Sequence, residues 1–361
     1  MYRSLMKLGV LAFSAVLIGV TPVQAQDETS QSLDEALENL SQDAAEAYLG
    51  SLPSAFGANM NAGWLGQAAT AQFLDLHVEV GLIAMGSFFA SDDDVFETTT
   101  TFNFTRRQAE QILADENIPS AYQDDVIDQM IEKTYTVSMS GPTAVGSKDE
   151  HVQVVFPGDT FTVSDGGQTQ TYQLDAETVE VTQVTGVLDE LPVLPLAVPQ
   201  FGIGTVYGTK LLFRFVPGIN LTEEIGDVGL FGFGIQHNPA VWLPAPLPVD
   251  VALGFYTQKL EAGDIVEVTA MAYGINASKP MGIFTPYAGF LLESSSIDIS
   301  YTYQLESQAG TEDVDINFEI DGENKYRFTL GGMLHVGFFS LNADFNIGNI
   351  NSISSGLNFN F

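Results

Sequence analysis

The chain of 361 residues contains no cysteine. That excludes disulfides, a thiol nucleophile and a lipoprotein anchor, which needs a cysteine at the cleavage site. Basic residues are scarce as well. Lys and Arg number 12 against 46 Asp and Glu, a formal charge of −34. Only 16% of residues are charged, so the acidity comes mostly from missing bases. Phosphate binding needs a basic face, so nucleic acid is not an expected partner. A saline habitat and acidic loops bridged by divalent cations are both compatible with this balance. Long apolar runs are missing: no stretch after the first 20 residues approaches the ~20 uninterrupted apolar residues of a membrane-spanning helix. The sequence has no Gly-x-Ser-x-Gly elbow, no His-Glu-x-x-His and no Walker or dinucleotide fingerprint. Asp313-x-Asp315-x-Asn317 is not a calcium loop, because Phe318 and Asn324 stand where glycine and glutamate are required. The expectation is a protein that is not an enzyme and has no cofactor and no bound metal.

What is present begins with an export signal. Arg3 and Lys7 precede an apolar run from Leu8 to Val20, and small residues at Val23 and Ala25 mark a cleavage site. Residues 1–25 read as a signal peptide, cut before Gln26. Ser32-Leu33-Asp34-Glu35 reads as a capping box, and Leu33, Ala36, Leu37, Leu40 and Ala44 recur at helical spacing up to about Gly50. Pro53, Gly57 and Gly63 are expected to interrupt the chain after Gly50. Residues 26–70 are therefore expected to be an N-terminal helical, plug-like segment, outside any sheet.

From there the period changes to two. Leu74, Leu76, Val78, Val80 and Leu82 alternate with Asp75, His77, Glu79 and Gly81. Same-face positions of a strand lie about 6.6 Å apart, too far for Asp75, His77 and Glu79 to close on one ion. They read as a polar lumen face. Residues 91–200 read as a mainly extramembrane insertion with helices and short strands, including a hairpin about Asp165-Gly166-Gly167 and a proline-rich strap over 191–199. Strands are expected near 72–86, 202–215, 227–236, 248–257, 264–275, 283–293, 296–306, 325–336, 340–347 and 352–361. A further hairpin at 95–104 and 134–141 would raise ten to twelve. The expected architecture is all-β: an antiparallel transmembrane β-barrel of 10–14 strands over residues 71–361, with a large rim insertion.

Two resemblances support this. The end of the chain resembles the C-terminal targeting signal of Gram-negative outer-membrane barrels, with Ser354, Gly356, Phe359 and Phe361 at its positions. Phe231-Gly232-Phe233-Gly234-Ile235-Gln236-His237-Asn238, Trp242-Leu243-Pro244 and Leu247-Pro248-Val249-Asp250 resemble an uncharacterised family of outer-membrane β-barrel proteins. Gly141-Pro142-Thr143 and the segment 202–217 fit the same family. Its distant likeness is to the long-chain fatty-acid transporters of the outer membrane, over about residues 47–361. The resemblance implies the cell outer membrane as location, with outer-membrane lipids and the barrel assembly machinery as partners. It implies no binding residue.

Alternation then assigns faces. Leu341, Ala343, Phe345 and Ile347 are expected on the lipid side, with Asn342, Asp344 and Asn346 in the lumen. Lys210 and Arg214 are expected inward beside Asp250, since a basic residue on the lipid face at mid-membrane costs about 2–4 kcal/mol. The hairpin near Gly322 is expected to use a three-residue loop, 322–324, pairing Ile320 with Tyr326 and Glu319 with Arg327. The role implied is a porin-like passive or gated channel for a small solute, hydrophobic ones included. The alternative is a non-transporting surface barrel whose insertion binds a partner. A rim hydrolase using His237 or His335 is a third, weaker reading. Phe361 is predicted to be required for assembly: Phe361→Ser should lower the heat-modifiable, folded fraction in outer membranes, and wild-type levels would refute the signal.

Overall fold

The computed structural model describes residues 43–361, apart from 91–92, 115–117, 166–167, 183, 187, 189–190, 223–225, 246, 264 and 308–309. The signal peptide and most of the first predicted helix lie outside the described residues. The chain divides into two compact units, one of residues 1–50 with 91–190 and one of 51–90 with 191–361.

In the second unit ten strands close into an antiparallel barrel. They are β1 (Val78–Phe88), β8 (Val193–Val206), β9 (Thr209–Thr222), β10 (Gly226–His237), β11 (Asp250–Ala262), β12 (Val266–Ser278), β13 (Phe284–Ser307), β15 (Tyr326–Val336), β16 (Phe339–Ile347) and β17 (Ser352–Asn360). Each pairs with its chain neighbour, β13 pairs with β15, and β17 closes on β1 through Ile83↔Gly356 and its flanking pairs. Closure leaves no sheet edge at the β1–β17 junction, which is what hydrocarbon surroundings demand of a backbone. Outward residues are apolar and exposed, as with Phe231, Leu253, Phe290, Leu341 and Leu357. At the rim that carries the chain end, aromatics cluster: Tyr207 stacks on Trp242 at 6.2 Å, and Phe339 lies 4.9 Å from Phe359. An apolar belt with an aromatic rim is the exterior of a membrane-spanning barrel. Among the described residues no helix is long and apolar enough to cross a membrane.

The count of ten arises differently from the expectation. The predicted strand 202–215 is a hairpin, turning at Tyr207 and Gly208 with φ of 49° and 70°. Two successive positive φ values make the tight two-residue turn that matches strand twist, and Gly208 was its one legible signal. Conversely, the predicted strands 283–293 and 296–306 are one 24-residue strand, β13. The predicted hairpin 95–104/134–141 exists, as β2 (Val95–Asn103) on β3 (Thr134–Pro142), but not in the barrel wall.

The strap at 191–199, placed in the insertion, is instead the first half of barrel strand β8, paired with β1 from Val193↔Phe88 onward. Polyproline and strand backbones are both extended, so composition alone did not separate them.

The other unit has its own core. β2 and β3 continue through β4 (Val152–Phe156) to β7 (Glu177–Val181) in a four-stranded sheet. The second group pairs β5 (Asp159–Asp165) with β6 (Gln168–Leu174) across the expected Asp165 turn. Helices of this unit, Arg106–Ala114 and Ser120–Glu132, bury Ala109, Leu113, Val126 and Met130 against Phe161 and Val163 of that hairpin.

The register expected about Gly322 is overturned. β14 (Gly310–Asp321) pairs with the far part of β13, from Ser296↔Asp321 to Ser307↔Gly310, while β15 pairs with its near part, from Leu292↔Tyr326. β14 and β15 thus lie end to end along the same partner, and Gly322 links them, donating its N–H to Ser295 O at 2.8 Å. A hairpin and a continuation present the same alternation; only the length of β13 decides between them. Cysteines at 298 and 319 are therefore predicted to form a disulfide, and cysteines at 319 and 327 are not. The reverse pattern on non-reducing gels would restore the three-residue loop.

Candidate functional site

The lumen is the place to look for function, and it is occupied. Helix α1 (Leu52–Asn61) lies within the second unit against β1, β8, β12 and β13, with Ala55, Ala58 and Met60 wholly buried. The helix was not broken as expected. Pro53 sits in the first turn, where a missing N–H costs nothing. Gly57 is where the helix touches the wall: a Cβ there would come within 2.0 Å of the Ser295 hydroxyl oxygen.

A helix that ends inside a barrel leaves carbonyls without intrahelical partners, away from bulk water. Two buried arginines of the wall meet them. Arg327 donates to Ala58 O at 2.6 Å, to Ser352 Oγ at 3.1 Å and to Glu293 Oε2 at 2.9 Å. Arg214 donates to Met60 O at 3.2 Å, Ala62 O at 2.8 Å, Gln200 Oε1 at 2.9 Å and Gln258 Oε1 at 3.2 Å. Its guanidinium also lies 3.8 Å from the centre of the Trp64 ring, which stacks on Tyr256. Positive charge at a helix C-terminus complements its dipole, and a planar guanidinium serves several acceptors at once. Trp64 Nε1 adds a bond to Met60 O at 3.0 Å.

Beyond the helix, residues 62–71 run on through the interior, tied to the wall at several points. Asn276 donates to Gly66 O, and Asn238 to Ala69 O at 2.8 Å. Ala68 N–H donates to Ser278 Oγ, Ala69 N–H to Gln236 Oε1 and Ala71 N–H to Asp250 Oδ1. These are inward positions of β10, β11 and β12 or of the turn after β10, so strand alternation aims a row of amides and hydroxyls at one extended peptide. An extended peptide in the lumen offers unpaired N–H and C=O groups, and the row satisfies several of them.

The predicted lumen residues fall in three places. Glu79 pairs with Lys210 at 2.9 Å and with His77 Nε2 at 3.2 Å, while Asp75 borders His77 at 3.9 Å. Asp344 accepts from Tyr287, Asn346 and Ser354 at 2.6–2.9 Å, with Asn342 bonded to Tyr287 and Asn358. Arg214 and Asp250 instead hold the segment in the lumen, and Lys210 pairs with Glu79 rather than lying beside Asp250. Of the assembly-signal positions, Ser354 points inward and Phe361 is exposed at the rim. Gly356 faces the interior, where a Cβ would come within 2.4 Å of Asn342 Oδ1. Among the described residues no three His, Cys, Asp or Glu form a metal-binding group.

The alternation did not single out Arg327, Glu293, Gln236, Asn238 and Asn276. Arg327 sits between the outward Tyr326 and Phe328, a phase that was legible. Its partner Glu293 was not, because that depends on how β15 lies along β13.

A closed ten-stranded membrane barrel with its own chain filling the lumen is the class of protein defined here. Over residues 2–361 the chain matches, and belongs to, a family of unknown function, DUF6588. No curated protein matches it in sequence. Solved structures give weak likenesses. The transport unit of the autotransporter AIDA-I from Escherichia coli is 13% identical, with 86% of this chain and 98% of that one covered and a TM-score of 0.26. A bacterial polysaccharide outer membrane secretin is 9% identical over 79% and 98%, with a TM-score of 0.25. The outer membrane protein OmpT of Vibrio cholerae is 8% identical over 80% and 100%, with a TM-score of 0.22. Likenesses this slight carry no argument.

Breaking the Arg327–Glu293 pair from one side strands a buried charge. Arg327→Met is predicted to destabilise the barrel by about 3–5 kcal/mol in urea unfolding. Adding Glu293→Gln should recover a large part of it, and a double variant no more stable than the single one would refute the pairing.

Proposed function

We propose that this is an outer-membrane barrel that works as a gated channel for a small solute, with residues 51–71 as the gate. One observation carries the reading: polar side chains hold the backbone of the segment in the lumen from Ala58 to Ala71, and the apolar contacts gather about Trp64 and Leu65, packed on Leu212, Tyr256, Tyr287 and Leu291. Amide-to-peptide bonds exchange for bonds to water at little net cost, about 0.5–1.5 kcal/mol each. An apolar core would lose its contacts outright. A lumen row of Gln, Asn, Ser and Arg therefore suits both states, holding the segment when closed and lining an aqueous path when it leaves. The apolar belt, the aromatic rim and the export signal read in the sequence support the outer membrane as location.

A second reading is favoured by the compact unit of residues 91–190, which has its own sheet and buried core. A domain of this size outside the wall suits partner binding by a barrel that does not conduct.

Planar-bilayer conductance separates the two. The full chain is expected to be mostly silent, and a variant with residues 52–66 replaced by a Gly-Ser linker is expected to conduct. Silence of the assembled linker variant would overturn the channel reading and leave the binding one.

A further inference from the structure

The lumen segment has its two ends at opposite rims. At the rim away from the chain end, Ser54 Oγ of helix α1 accepts from the N–H of Glu323, in the link between β14 and β15, at 2.9 Å. Further along, Asn59 donates to Leu194 O at 2.7 Å and accepts from Ser87 Oγ at 2.9 Å, beside the Phe88↔Val193 pair where β1 ends and β8 begins. The segment then passes Arg214 and reaches Ser278, the last residue of β12. It leaves at the rim that carries the chain end. Gly208 donates to Gln72 O at 3.0 Å and Tyr207 to Phe73 O at 2.9 Å, in the turn between β8 and β9. There the chain reverses and enters the wall as β1, with Val78 and Phe361 exchanging backbone bonds.

The two rims differ. At the chain-end rim the turns at 207–208, 279–283 and 337–338 are short, and 238–249 is the longest connection. At the other rim lie the 91–190 insertion and the extension of β13 with β14. Outer-membrane barrels have short turns on the periplasmic side and longer loops outside. The chain-end rim is therefore the periplasmic one, and the chain ahead of Ser51 enters the barrel from outside.

The other compact unit, taken by itself, agrees. Residues 43–50 fold there with the insertion: Ala144 donates to Tyr48 O at 2.7 Å, the Tyr48 hydroxyl donates to Thr185 O at 2.9 Å, and Ala44 is wholly buried. Both ends of the insertion join strands at the outer rim, so residues folded with it belong to that side of the membrane.

We propose that the barrel carries its own amino-terminal segment, the residues ahead of Ser51, through the lumen and displays it on the outer face of the membrane. The composition suits a passage that stops where this one does. From Ser51 to Ala71 there is no charged residue, in a chain with 46 Asp and Glu. A charge left in the lumen needs a partner, and this stretch brings none. Over 26–50, by contrast, every charged residue is acidic, and Asp43 and Glu46 are exposed. The burial of Ala44 and the bonds of Tyr48 form only once the segment has crossed, so folding outside opposes its return. This rests on the outer-membrane location proposed above and not on conduction, so a silent barrel leaves it standing.

The chain has no cysteine, so single substitutions report one position each. Asp43→Cys, Glu323→Cys and Lys279→Cys fall at exposed positions, the first in the displayed segment, the second at the outer rim and the third in a periplasmic turn. With a membrane-impermeant maleimide on intact cells, 43 and 323 are expected to label to similar extents, and 279 only after the outer membrane is permeabilised. Label at 323 without 43 overturns the display and leaves the location intact. Label at 279 without 323 reverses the orientation and overturns it too. Label at none of the three in intact cells defeats the location and the display together. An epitope inserted after Gln26 tests carriage of a foreign sequence, and antibody is expected to bind it on intact cells. An epitope reached only after permeabilisation, in protein with a wild-type heat-modifiable fraction, overturns the proposal. Where the insertion prevents assembly, the cysteine variants decide.

Discussion

Everything inside this barrel depends on satisfying one short helix end. Helix α1 stops in the lumen, where its last carbonyls have no bulk water. Arg214 and Arg327 supply the donors, and both are almost wholly buried. The two are held differently. Arg327 has a carboxylate partner in Glu293, so its charge is balanced locally. Arg214 has carbonyls, amide oxygens and the face of Trp64, which spread its charge without neutralising it. Removing either leaves several buried acceptors unpaired, and each abandoned one costs about 1–3 kcal/mol. This is why two of the chain's few basic residues sit in its interior, in a protein otherwise so short of them.

The same accounting of backbone groups explains the wall. A barrel in hydrocarbon must pair its strands, and along the β1–β17 junction this one does so without interruption. Between β8 and β9 the ladder ends at Gln200↔Arg214, and Pro195, Pro199 and Pro217, which have no N–H, lie along the stretch beyond it. Closure in one place and proline in another answer one pressure, to leave few unbonded N–H groups facing an apolar medium. The lumen amides answer it too, since the peptide at 62–71 finds partners on β10, β11 and β12.

Alternation made much of the barrel legible beforehand. In β16 the phase of Leu341, Phe345 and Ile347 against Asn342, Asp344 and Asn346 appears directly in the burial of those side chains. Elsewhere the same signal misled. It ran 202–215 together across a two-residue turn and split β13 at a polar stretch, and these errors cancelled in the strand count. About Gly322 it fitted a hairpin and a continuation equally well. A period of two records which face a residue takes but not which strand it meets.

The sequence by itself determined that the chain is a β-barrel with an apolar exterior and a polar interior, because facing is a local property written residue by residue. It also determined that Arg214 points inward, since the outward side is too costly. Only the tertiary structure decided that Arg327 meets Glu293, that residues 62–71 thread a row of amides, and that the β8–β9 ladder ends at Gln200↔Arg214. Those facts depend on register between strands distant in the chain. Register is set jointly by turns, strand lengths and closure, and no single stretch of sequence contains it.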